Sequence, residues 1–242
     1  MSKNVRVICL ALMFVLPLSD GCRRTAPSSL SEVTLDGVTS YYTYSNLDSG
    51  SKEGLPAIIF LGHPLSRRQE LEQFIGQFDE PVLLIWCGLL YGLPDDTLVD
   101  DMTLWHQKRQ DFLASFKAYK ENFRFDEERV YLTGFSFTGA YAWMLAYDKP
   151  ELYAGVVAMS AVSYPEQIQQ NLESGESVVT VVVRGGNDGA FPERLEQEKE
   201  TGRVIESKNP HSRFIIKQGA GHGEVAKYWL EYLSYILAVG KV

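Results

Sequence analysis

Short, unbroken apolar runs alternate along this chain with stretches long enough to hold a helix. Ala57-Ile58-Ile59-Phe60-Leu61 and Val82-Leu83-Leu84-Ile85-Trp86 contain no charged or hydroxyl side chain, the composition of strands buried on both faces. Further strands are read at residues 129–133, 155–159, 178–183 and 213–217, and an early edge strand at 38–44, where β-branched and aromatic residues gather. Helices fill the gaps. Ser66 with Gln69 has the form of a capping box opening a helix that runs to about residue 78. A long helix over residues 103–122 sets Phe112, Phe116 and Tyr119 on one face, with Phe123 just beyond. Helices follow at 138–147 and 166–172, and Pro192 opens an acidic one. Val225, Tyr228, Trp229, Tyr232, Leu233 and Ile236 make the apolar stripe of a last helix. Strands joined through helices this long pair in parallel and are covered on both faces. With no repeat or linker to divide residues 38–242, the expectation is one α/β domain.

Composition narrows the chemistry. The chain has 23 basic and 31 acidic residues among 242, a net charge of −8, with no Lys/Arg block in its body. A nucleic-acid partner is not expected. Three cysteines (Cys9, Cys22 and Cys87) are too few and too scattered for a disulfide framework, and four histidines include no His-Glu-x-x-His helix. No metal site is read.

The first residues have a different character. Lys3 and Arg6 precede an apolar run from residue 7 to 18, about twelve residues against the roughly twenty needed to span a bilayer. Residues 1–21 therefore read as an export signal. Its end, Gly21-Cys22, resembles the lipobox of bacterial lipoproteins, although Ser19 and Asp20 are unusual there. That likeness implies a lipid on Cys22, residues 22–37 as a tether, and membrane contact only through the anchor. A buried N-terminal helix is the blander reading of the apolar run, and an ordinary signal peptide cleaved nearby the other reading of its end.

The richest segment is Gly134-Phe135-Ser136-Phe137-Thr138-Gly139, where a strand ends, a serine follows and a helix begins at once. This is the setting of a nucleophile elbow, a strained turn that lifts a serine oxygen above a sheet. A serine there also serves as a plain helix N-cap. Two later segments bear on that choice. The strand at 178–183 empties into Arg184-Gly185-Gly186-Asn187-Asp188, and the strand at 213–217 into Gly219-Ala220-Gly221-His222-Gly223. A hydroxyl becomes a nucleophile when a base takes its proton and a third group orients that base. All three residues lie at carboxyl ends of strands, the ligand-binding edge of a parallel sheet. Asp188 as a turn former and His222 as a packing or helix-start residue are the blander readings.

In these residues, with the helix through Ala142-Trp143-Met144-Leu145-Ala146, the sequence resembles the α/β-hydrolase superfamily over roughly residues 38–242. The likeness is to its secreted esterase branch: polyhydroxybutyrate depolymerases, feruloyl esterases and carboxylesterase-like proteins. The resemblance implies Ser136 as nucleophile, His222 as general base and then acid, and Asp188 as its buried orienter, with no cofactor. It also implies an oxyanion hole built from the N–H of Phe137 and a second donor after the strand at 57–61. There Gly62-His63-Pro64-Leu65 inverts the usual His-Gly, and Pro64 has no N–H, which leaves Leu65 or His63, with Leu65 preferred. Thr138 stands where a glycine is usual, with Gly139 one place late.

The remaining signals are quieter. Cys87 reads as a buried, inert thiol, since the elbow is occupied by serine. Glu193, Glu196, Glu198 and Glu200 read as a solvated helix face, and Tyr91, Trp105 and His106 are candidates for lining the pocket. No long insertion separates the strands at 155–159 and 178–183, so the lid is minimal and the pocket shallow. The expected function is hydrolysis of small or polymeric carboxylic esters outside the cytoplasm. A catalytically degenerate binding protein and a serine peptidase on the same fold are the alternatives.

Overall fold

The computed structural model describes residues 31–35, 37–45, 54–62, 77–78, 80–90, 102–161, 168, 171, 178–189, 192 and 195–240. Eight strands form one sheet: β1 (Ser31–Leu35), β2 (Val38–Tyr44), β3 (Ala57–Leu61), β4 (Leu83–Cys87), β5 (Val130–Phe135), β6 (Gly155–Met159), β7 (Val179–Gly185) and β8 (Arg213–Lys217). Their order is β1-β2-β4-β3-β5-β6-β7-β8. The β1–β2 and β2–β4 pairs are antiparallel, and every pair from β4 to β8 is parallel. The helices are α1 (Met102–Asn122), α2 (Phe137–Asp148), α3 (Leu195–Lys208) and α4 (Trp229–Val239).

The pleat divides each central strand between two cores. Ile59, Ile85, Leu132 and Ala158 face one side, where they meet Phe112, Phe116 and Tyr119 of α1 and Trp143 and Leu145 of α2. Ile58, Leu84, Val157, Val181 and Val183 face the other, against Val225 and the Tyr232, Leu233 and Ile236 stripe of α4. Apolar burial at about 25 cal/mol per Å² on both faces explains why these strands read as continuous hydrocarbon. The expected mostly parallel α/β sheet is what the chain forms.

Several expectations are corrected. Residues 31–35 are not tether but strand β1, paired with β2 from Ser31↔Tyr42 to Leu35↔Val38, so β2 is not the edge. Gly37, just before β2, takes φ 82°, the left-handed conformation a tight turn between antiparallel strands calls for. Val33 and Leu35 bury their side chains while Thr34 stays exposed, an alternation too short to stand out beside the serine-rich run before it. The last helix begins as a 3-10 segment, Gly223–Tyr228, before α4. The expected helix at 66–78 lies outside the described residues except for its end, where Phe78 is buried; the one at 166–172 is described only at Ile168 and Asn171.

Candidate active site

Strand β5 runs inward to Gly134 and Phe135 and turns at Ser136 into α2. Ser136 takes φ 57° and ψ −128°, outside the regions an L-residue favours, and makes no side-chain cap bond to the helix. Strain of this kind costs about 1–3 kcal/mol and persists only where neighbours enforce it. They do. The Ser136 N–H donates to Met159 O of β6 at 2.8 Å, and Ala140 N–H donates back to Ser136 O at 3.1 Å. Gly134 is obligatory, because a Cβ there would lie 2.3 Å from Thr138 O. Gly139 is needed for the same close approach of helix and strand: its Cβ would come within 2.9 Å of Gly134 O. The glycine one place late is thus the one that the packing uses.

Thr138, the departure from the usual pattern, is built into the turn. Its hydroxyl accepts from Phe135 N–H at 2.9 Å and donates to Phe135 O at 2.8 Å. Both polar backbone groups of the residue before Ser136 are held by one side chain. The threonine methyl and hydroxyl also lie alongside Gly62 at the end of β3.

The three sequence candidates meet at this edge of the sheet. Ser136 Oγ lies 3.0 Å from His222 Nε2, and His222 Nδ1 lies 2.8 Å from Asp188 Oδ2. The Asp188 side chain is 1% exposed and that of His222 33%. A carboxylate withdrawn from water and set on Nδ1 holds a proton there, which leaves Nε2 as the acceptor facing the serine hydroxyl. Asp188 is held by the turn after β7, where Gly186 N–H donates to Lys217 O and Asn187 N–H to Ala220 O. The His222 loop is closed by Glu224, whose carboxylate accepts from Gly221 N–H at 2.6 Å. The edge of the imidazole packs against the Phe135 ring, centroids 5.0 Å apart. Phe135, Ser160 and Glu224 carry no one-dimensional signal, since each matters only through what the sheet brings beside it.

Other candidates fall elsewhere. Phe137 is the first residue of α2, half-buried beside Ser136. Leu65, His63, Tyr91, Glu193 and Cys22 lie outside the described residues. Trp105 is buried on α1 against the ring of Tyr141, while His106 is exposed on that helix. Glu198 is not on a solvated face. It is buried and paired with the equally buried Arg184 of β7, while Glu196 and Glu200 are exposed as expected. Cys87 is fully buried as a free thiol, and burial holds its pKa above the ordinary 9.0.

A model of the dienelactone hydrolase family matches residues 97–232, more than half of the chain. The chain belongs to that family. It is a branch of the α/β-hydrolase superfamily, so the resemblance to that superfamily holds. The fold has many relatives of known structure. The chain is similar to the BES protein from Bacillus cereus at 13% identity and TM-score 0.67, over 91% of this chain and 98% of that one. It is similar to Est1E from Butyrivibrio proteoclasticus at 14% identity and TM-score 0.58, over 86% and 95%. A thermostable esterase superposes at 16% identity and TM-score 0.61, over 84% of this chain but only 59% of the esterase. At such identities the likeness is one of fold. No curated protein matches the chain as a relative. Membership of that family makes this a dienelactone hydrolase-like protein of the hydrolase class, and its structural neighbours share its fold.

Proposed function

We propose that this hydrolase cleaves carboxylic esters through an acyl-enzyme on Ser136. The reading rests on one observation: the Ser136 hydroxyl, free of any capping duty, faces His222 Nε2 at 3.0 Å while Asp188 occupies Nδ1 at 2.8 Å. His222 takes the serine proton as Oγ attacks the carbonyl, and the buried Asp188 carboxylate stabilises the imidazolium that forms. The tetrahedral oxyanion accepts from the N–H of Phe137, which begins α2 and has no carbonyl four residues back in the helix to serve. Leu65, four residues beyond the end of β3 in sequence and outside the described residues, is the proposed second N–H donor. His222 then protonates the leaving alcohol, and water releases the acid by the same steps in reverse.

A fluorophosphonate probe tests this directly. Wild type labels and Ser136→Ala does not; a folded wild type that fails to label would overturn the reading in favour of a binding protein. Turnover of p-nitrophenyl esters but not aminoacyl nitroanilides separates esterase from peptidase.

The site of action proposed is outside the cytoplasm, with residues 1–21 as export signal and a lipid on Cys22. Radiolabelled palmitate should enter the wild type and not Cys22→Ser. Label absent from both would leave an ordinary cleaved signal as the better account.

A further inference from the structure

Among the described residues, two that are not glycine take φ in the left-handed region: Ser136 at 57° and Ser160 at 44°. The second follows β6 directly and is 1% exposed. Strained non-glycine residues persist where surrounding bonds over-determine them, and they gather at functional sites. Ser160 is tied on every side to the elements that carry the site. Its N–H donates to Val183 O of β7 at 2.7 Å, on the strand that leads to Asp188. The carbonyl of its neighbour Met159 accepts the Ser136 N–H at 2.8 Å. Its own hydroxyl donates to the main-chain carbonyl of His222 at 2.9 Å, across 62 residues of sequence.

We propose that Ser160 is a positioning residue that fixes the His222 backbone relative to Ser136. Asp188 sets the tilt of the imidazole from its far end, and Phe135 packs against its edge. Neither holds the main chain from which the ring hangs. The Ser160 hydroxyl does, and it hangs that chain from the same strand end that receives the Ser136 amide. The strain at 44° is the conformation that aims the hydroxyl at the loop. A side chain displaced by about 1 Å from a reacting group can cost on the order of 100-fold in rate.

This role rests on the Ser136 acyl-enzyme reading, and the test separates the two. Ser160→Ala removes the hydroxyl but keeps a Cβ at positive φ; Ser160→Gly removes the hydroxyl and relieves the strain. Acylation by a fluorophosphonate and turnover of a p-nitrophenyl ester are measured per titrated active site. Both variants should acylate about 10- to 100-fold more slowly than wild type, with kcat reduced and KM within about twofold. A purely structural serine would lower the titre and leave the rate per site intact. Wild-type rate per site in Ser160→Gly overturns the positioning role while leaving the acyl-enzyme standing. Failure of both variants to fold overturns it too, since the serine would then be holding the fold. Failure of wild type to label removes the underlying reading instead, and the positioning role with it.

Discussion

The carboxylate of Asp188 meets Nδ1 of His222 at 2.8 Å from a nearly dry position, while the imidazole itself keeps a third of its surface in solvent. The carboxylate is therefore withdrawn from water while the imidazole stays accessible. Asp188→Asn preserves size and burial, but its amide can present an N–H to Nδ1 and so turn the proton to Nε2, the nitrogen that must accept. Ester turnover should fall by about 10⁴-fold with the melting temperature nearly unchanged. Steady-state kinetics beside a thermal melt checks both halves, and a loss below about tenfold would contradict the assignment.

Thr138 offers a cleaner separation of strain from chemistry. Thr138→Val keeps the shape and removes both bonds to Phe135, stranding a part-buried N–H and carbonyl at about 1–3 kcal/mol. Thr138→Ser retains the hydroxyl and should behave as wild type in denaturant titration. If valine and serine are equally stable, the threonine is a spacer and the turn is held by the glycines alone.

The Arg184–Glu198 pair links β7 to α3 with both side chains almost fully buried. Removing one partner leaves a buried charge uncompensated, costing about 3–5 kcal/mol, whereas an apolar pair of similar volume is tolerated. Arg184→Met and Glu198→Leu should each lower the melting temperature sharply, and the double substitution should recover much of the loss. Additive destabilisation in the double variant would show that the two charges do not depend on each other.

High pH should weaken the fold. Burial raises Cys87 above its ordinary 9.0, and it raises Tyr119, Tyr147 and Tyr153 above 10.0, so these groups stay neutral when folded. Unfolded, they ionise at ordinary values, so above pH about 9 the native chain binds more protons than the unfolded one. Their contribution is fully present below pH about 9 and drains away as pH rises through 10 and beyond. Melting temperature should be level from this source between pH 7 and 8.5, then decline. Native Cys87 should resist a thiol reagent until the protein is denatured; rapid native labelling at pH 8 would refute its burial.

Much of this arrangement could be read from residue order. Strands β3, β4 and β6 are each hydrocarbon from end to end because both faces are covered, and Ser136, Asp188 and His222 each follow a legible strand through a glycine turn. What escaped depends on partners remote in sequence. Glu198 sits among exposed glutamates, and only the register of β7 brings Arg184 beneath it. The contact of Trp105 with Tyr141 is likewise invisible in sequence, because the two rings lie on different helices. Ser160 is one serine among many until the His222 carbonyl arrives beside it.

His222 lies 86 residues after Ser136 in sequence and follows β8, an edge strand that pairs only with β7 among the described residues. All eight strands and the turn at Ser136 precede His222, but α4, which covers one face of the sheet, follows it. A chain trimmed ahead of residue 213 would lose α4 together with the His222 loop, leaving Ile58, Leu84, Val157 and Val181 uncovered on one face of the sheet. His222 and the cover of that face arrive together, so on the proposed acyl-enzyme reading labelling by a serine probe would report a closed core.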